Sequence, residues 1–231
     1  MRGRESLSRL ARLAAERPVS LALAALCVFV DRAIPWHAMG FTLRAVIDEP
    51  CHMATAFIVL GAITRLRRTP PHPTFVASML ACSVLIDLDH LPLEFGSSVI
   101  TAGTARPYTH ALWVLALLIA AAIAARRWSS KPARAYLLAG AAWGVGAHFL
   151  RDVATAPMSL WWPISDGAVQ VPYWTYVLGL ALIVAMPPRR SGMSDPPEEQ
   201  PRPTATATDT ASAAASASAE GSALPLPCND R

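Results

Sequence analysis

Apolar residues in this chain come in stretches far longer than a β-strand, separated by short polar connections. Six stretches stand out, at residues 18–35, 43–64, 74–91, 108–127, 133–152 and 171–187. Each has the length of a membrane-spanning helix, since about 20 residues rising ~1.5 Å each cover the ~30 Å hydrocarbon core of a bilayer. The cleanest runs are Phe75 to Ile86 and Ala111 to Ala125, whereas His148 and Arg151 interrupt the fifth stretch. The pattern predicts an all-α, polytopic membrane protein built as a bundle of about six transmembrane helices. Residues 1–17 read as a basic N-terminal segment, 18–187 as the six-helix membrane domain and 188–231 as a C-terminal tail. The tail runs through Thr-Ala and Ala-Ser repeats without aromatic residues or apolar periodicity. Such a segment buries too little surface to offset its ordering entropy, so a disordered tail is expected.

Composition narrows the class. Hydrophobic residues make up 53% of the chain and charged residues 16%, against about 25% charged in a soluble domain. An ordinary soluble enzyme is excluded. The net charge of +4 follows membrane topology rather than nucleic-acid binding, because the basic residues cluster in alternate connections. Arg2, Arg4, Arg9, Arg12 and Arg17 precede the first stretch. Arg65, Arg67 and Arg68 follow the second, Arg126, Arg127, Lys131 and Arg134 the fourth, and Arg189 and Arg190 the sixth. The other side has only Arg32, Arg44, Arg106 and Arg151. The positive-inside rule then predicts cytoplasmic N and C termini. The five N-terminal arginines and the run Val19 to Val30 also fit a signal peptide, but no small-x-small cleavage site follows, so an uncleaved anchor helix is expected. Cys27, Cys51, Cys82 and Cys228 form no C-x-x-C pair and read as small apolar fillers.

Ionisable residues inside spans are costly in lipid and mark functional sites. Here Asp48, Glu49 and His52 fall early in the second stretch, and Asp87, Asp89 and His90 close the third. His110 opens the fourth, and His148 and Asp152 close the fifth. Helix direction alternates, so all nine are expected at the outer ends of their helices. Asp48 with His52, and His148 with Asp152, are spaced i, i+4 and share a helix face; Asp87 and His90 are spaced i, i+3. Pro92 disfavours helix just before it, which would let Asp89 turn inward. Carboxylates and imidazoles on converging helices form a divalent-metal set suited to zinc first and manganese second. The candidate ligands are His52, Asp87, Asp89, His110, His148 and Asp152, enough for one or two ions. His90 and Glu49 are candidate general acid or base residues, and Arg106 a candidate holder of an anionic group. His37 and His72 read as interfacial residues, and Asp31 as a partner of Arg32 or a cap.

Three blocks carry a resemblance: Leu-Ile-Asp87-Leu-Asp89-His90, Arg106-Pro-Tyr-Thr109-His110, and Gly146-Ala-His148-Phe-Leu-Arg-Asp152. In order and spacing they resemble the YdjM-like family of inner-membrane metal-dependent hydrolases, and His52 looks like that family's early histidine. The second block differs from the family pattern, with Ala105 where a histidine often precedes the arginine and Ala111 where a serine often follows the second histidine. The resemblance implies metal-dependent hydrolysis and a bacterial inner-membrane location. Together with the site's position at a membrane face, it implies a membrane-lipid, lipid-like or small-molecule substrate, with an amphiphile or phosphoester first. No nucleic-acid partner is expected, and nothing in the sequence points to a protein partner. The alternative is a non-catalytic membrane protein with a structural metal site. A channel or transporter is disfavoured, because polar residues do not continue through the full depth of the fourth and sixth stretches.

Overall fold

The computed structural model describes residues 2–35, 38–67, 69–101 and 106–188. The chain divides into two units, Met1–Ser191 and Gly192–Arg231, and every described residue belongs to the first. The expected disordered tail therefore lies outside the described residues, apart from Pro188. Trp36, His37, Arg68 and Ala105 lie outside them as well.

Among the described residues the chain forms eight α-helices: α1 (Arg2–Ala15), α2 (Arg17–Ala33), α3 (Phe41–Leu66), α4 (Pro73–Leu85), α5 (Leu91–Glu94), α6 (Leu112–Trp128), α7 (Pro132–Thr155) and α8 (Tyr173–Ala185). The only β pairing among them is an isolated antiparallel bridge between Met158 and Val169. The protein is all-α, and each of the six apolar stretches is helical. By length and apolarity, Thr42–Leu66 and Pro73–Leu93 each suffice to cross a bilayer. The pair Gly3–Ala15 and Arg17–Ala33 qualifies only jointly and is bent by 78°. Helix α6 has 17 residues and α8 has 13, lengths of about 26 and 20 Å at ~1.5 Å per residue.

The basic N-terminal segment is more structured than its charge suggested. Residues 2–15 form α1, whose Ala11 and Ala14 are fully buried in one core with Ala56, Val59 and Leu60 of α3 and Phe75, Val76 and Met79 of α4. Arg65 ties this end of the bundle by donating to the Ala15 and Ile183 carbonyls. Gly61 faces the Ala14 carbonyl so closely that a β-carbon there would overlap it. Pro18, in the first turn of α2, starts a new helix at the bend.

Helices α4 and α7 cross closely, and small residues on α7 allow it. A β-carbon at Gly140 would collide with the Ser78 hydroxyl and the Phe75 carbonyl oxygen. One at Gly144 would overlap the Met79 carbonyl oxygen and stand 3.0 Å from the Ser83 amide nitrogen. Close backbone approach through small residues is a common way for membrane helices to associate. Gly140, Gly144, His148 and Asp152 are spaced four apart and lie on one face of α7. That face packs first and then carries chemistry.

Candidate metal centre

The site lies at the end of the bundle away from α1, and deeper than helix ends. Helix α3 begins at Phe41, so His52 sits 11 residues in, about 16 Å along the axis at ~1.5 Å per residue. Pro50, within the same helix, supplies no N–H to the Val46 carbonyl. The expected effect of Pro92 is misplaced. Helix α4 already gives way at Ile86 to a 3₁₀ turn, Ile86–His90, and Pro92 lies in the first turn of α5 instead of ending a helix. With three residues per turn, Asp87 and His90 align in the 3₁₀ segment, and Asp89 is brought to the same cluster. His110 does not open α6. It ends a separate 3₁₀ turn, Tyr108–His110, and extended Ala111 separates it from the helix.

Around these positions His52, Asp87, His110, His148 and Asp152 come together. His148 is fixed first. Its Nδ1 donates to the Ser83 carbonyl at 2.9 Å across the close α4–α7 crossing. Nε2 is thereby turned to the carboxylates, 3.1 Å from Asp152 Oδ2 and 3.5 Å from Asp87 Oδ1. His110 is held between two carboxylates, with Nδ1 3.1 Å from Asp89 Oδ2 and Nε2 3.0 Å from Asp87 Oδ1. Thr109 also donates to Asp89 Oδ2. His90 Nδ1 stands 2.9 Å from Asp89 Oδ1 and 3.4 Å from Asp87 Oδ1. Arg106 donates to Asp152 Oδ2 at 2.5 Å.

His52 is close but differently engaged. It stacks on His148 with ring centroids 3.8 Å apart, and its Nε2 lies 3.4 Å from Asp152 and 3.5 Å from Asp48. Arg151 Nη1 is 2.9 Å from that same nitrogen. An arginine only donates, so the Nε2 lone pair of His52 is taken by Arg151. Arg151 is the site residue that sequence reasoning missed. It is 1% exposed and also bonds Asp31 and Asp48, each at 2.5 Å. Asp31 in turn accepts from the Tyr173 hydroxyl at 2.8 Å; its expected pairing with Arg32 gives way to this network. The available signal was an arginine inside an apolar helix, which must find a buried partner. That the partner would be Asp31, 120 positions away, was not readable.

His72 belongs to the other end of the bundle. It caps α4 by accepting from the Thr74 amide at 3.2 Å and stacks on Tyr136. Cys51 lies beside Cys27, its carbonyl 3.7 Å from the Cys27 sulfur.

Two overlapping sets of side chains could hold an ion, their ligand atoms lying within 4.8 Å of one another: Asp87, His110, His148 and Asp152, and Asp87, Asp89, His90 and His110. The chain matches the family model described as YdjM inner membrane protein over residues 47–219.

It belongs to the YdjM family. The match begins beside Asp48 and spans every member of both ligand sets. No curated protein and no solved structure matches the chain, so the chemistry of this YdjM protein must be read from its own geometry. Six carboxylates, Asp31, Asp48, Glu49, Asp87, Asp89 and Asp152, lie in or beside the cluster, and the guanidiniums of Arg106 and Arg151 pair with three of them, Asp152, Asp31 and Asp48. Asp152 Oδ1 and Glu49 Oε2 are buried without a hydrogen-bond partner, and buried Asp89 Oδ1 faces His90 Nδ1 at 2.9 Å. Buried charge of one sign is costly unless paired. The donor set and the unpartnered atoms fit a bound cation. A cavity of about 1100 Å³ opens beside the cluster and reaches Asp48, Glu49, Asp87, His90, Arg106 and Arg151.

Proposed function

We propose that this protein is an integral membrane metal-dependent hydrolase acting on an amphiphilic or phosphoester substrate. The observation that carries the reading is the convergence of Asp87, His110, His148 and Asp152, whose ligand atoms lie within 4.8 Å of one another, with His148 held by the Ser83 carbonyl so that Nε2 faces Asp152 and Asp87. A neutral imidazole there would face acceptor to acceptor, an arrangement that a bound cation relieves. Asp87, His110, His148 and Asp152 would hold one ion, and Asp87, Asp89, His90 and His110 a second or alternative one. Zinc is the first choice and manganese the second. When bound, such an ion brings the pKa of a coordinated water toward ~7 and so supplies a nucleophile at neutral pH.

The chain's own residues do the rest. The Ser83 carbonyl orients His148, and Asp89 accepts from His110 Nδ1–H, so that Nε2 of each ring faces Asp87. A carboxylate or carbonyl behind an imidazole is the usual support for a ligating histidine. Arg106 offsets the charge of buried Asp152 and lines the cavity, where its planar fork suits phosphate. Glu49 lies on the cavity wall, in reach of a substrate there, and would accept or donate the proton; His90, on the same wall, would share that role where one ion is held by the set with His148 and Asp152. His52, held by Arg151, packs and orients His148 in this arrangement. The basic residues in alternate connections support cytoplasmic termini and a site on the opposite face, next to membrane lipid.

A structural metal site is the alternative, and one observation favours it: of the set with His148 and Asp152, only Asp87 reaches the cavity. Purified protein assayed against phosphoesters and lipids, with and without added zinc or manganese, tests the two. The hydrolase reading expects metal-dependent cleavage that disappears in D87A. Metal retained at full occupancy with no cleavage across the panel would favour the structural site.

A further inference from the structure

The cavity has a second polar feature, separate from the ligand cluster. Arg32 from the end of α2 and Arg44 from the first turn of α3 both line it and are exposed. Arg32 lies over the Tyr173 ring, its guanidinium carbon 4.6 Å from the centroid, and Tyr173 is itself anchored on Asp31. Stacking occupies the face of a guanidinium and leaves its N–H edges directed outward. Arg44 uses Nε on the Met39 carbonyl at 3.0 Å. Neither has a carboxylate partner among the described residues, unlike Arg106 and Arg151, which are paired with Asp152 and with Asp31 and Asp48.

Part of the lining is apolar. Leu85, Leu88 and Leu91 line the cavity and remain 52%, 56% and 42% exposed. Spaced three apart along the tightened segment after α4, they form one stripe. They line the cavity and are also exposed at the surface of the bundle, where hydrocarbon would meet them in a membrane. Two arginines and a leucine stripe in one lining match a molecule with an anionic head and an alkyl tail.

We infer that the cavity binds a phosphate-bearing lipid, its phosphate between Arg32 and Arg44 and its chain along Leu85, Leu88 and Leu91. The lipid enters laterally from the bilayer. This deepens the hydrolase reading and rests on it for the fate of the bound lipid, though not for binding.

The test uses the full chain in maltoside micelles and a probe that cannot be cleaved at its phosphate: a dioctanoyl phosphatidate analogue with a carbon–phosphorus bond in place of the phosphate ester. Native mass spectrometry measures its binding to wild type and to R32Q/R44Q. The expected results are binding to wild type and a loss of at least tenfold in the double variant, with the unfolding midpoint unchanged. Inorganic phosphate and dioctanoylglycerol are expected to bind wild type at least tenfold more weakly than the probe. The inference is overturned by a loss of less than tenfold in the double variant. It is equally overturned if phosphate alone comes within tenfold of the probe, which would make this a free-phosphate site, or if dioctanoylglycerol does, which would make the groove merely greasy. The comparison of ligands on wild type stands even if the variant fails to fold. Binding of the probe by a protein that cleaves nothing would refute the hydrolase reading and leave this one intact.

Discussion

Replacing Arg151 by methionine tests the buried ionic network. The guanidinium is 1% exposed and holds Asp31, Asp48 and His52 at 2.5, 2.5 and 2.9 Å. Methionine keeps the apolar volume but leaves two carboxylates without their cation. Removing one partner of a buried pair costs about 3–5 kcal/mol. The two carboxylates do not count equally. The Asp31 side chain is 4% exposed, whereas that of Asp48 is 33% exposed and partly screened by water. Tyr173 still donates to Asp31. R151M should therefore lose about 3 kcal/mol, the lower end of that range. Unfolding by denaturant titration in micelles, followed by tryptophan fluorescence, measures the loss. The triple variant R151M/D31N/D48N removes the stranded charges and should recover most of it, since exchanging a complete buried ionic group for uncharged side chains is often neutral. A single variant as stable as wild type, or a triple variant weaker than the single, would refute the reasoning.

Three further outcomes are expected. G144L forces a side chain into the Met79 carbonyl and Ser83 amide; the α4–α7 crossing should open, the protein should lose about 2–3 kcal/mol by the cost of overpacking, and bound metal should fall, read by unfolding and by elemental analysis. H72A removes the α4 cap and should cost about 1 kcal/mol while leaving metal content unchanged, because the cap lies at the other end of the bundle. Reporter fusions at residues 70 and 130 should read cytoplasmic and at 100 and 160 external; the reverse pattern would invert the proposed orientation.

Much of the site was legible because helix periodicity is strict. The spacing of Asp48 with His52 and of His148 with Asp152 is enough by itself to place each pair on one helix face, and the pairs meet at 3.5 and 3.1 Å. The 3₁₀ turn at Ile86–His90 was not legible. No residue there compels it, and Pro92, the obvious breaker, lies beyond it at the start of α5. Helix α1 was obscured by its arginines. Its apolar residues Leu7, Ala11 and Ala14 are helically spaced, but so short a stripe becomes meaningful only once α3 and α4 are there to cover it. Arg151 shows the same limit. The sequence tells that a buried arginine needs partners, whereas only the packing of α2, α3 and α7 tells which.

The central claim is that the Asp–His cluster holds a divalent cation, and elemental analysis of the purified full chain tests it most directly. Protein purified without affinity resins that leach metal is expected to retain one to two equivalents of zinc or manganese, falling below a tenth of that in H148A and D87A. Wild-type protein without bound metal even after incubation with either ion, or variants that keep as much as wild type, would contradict the account.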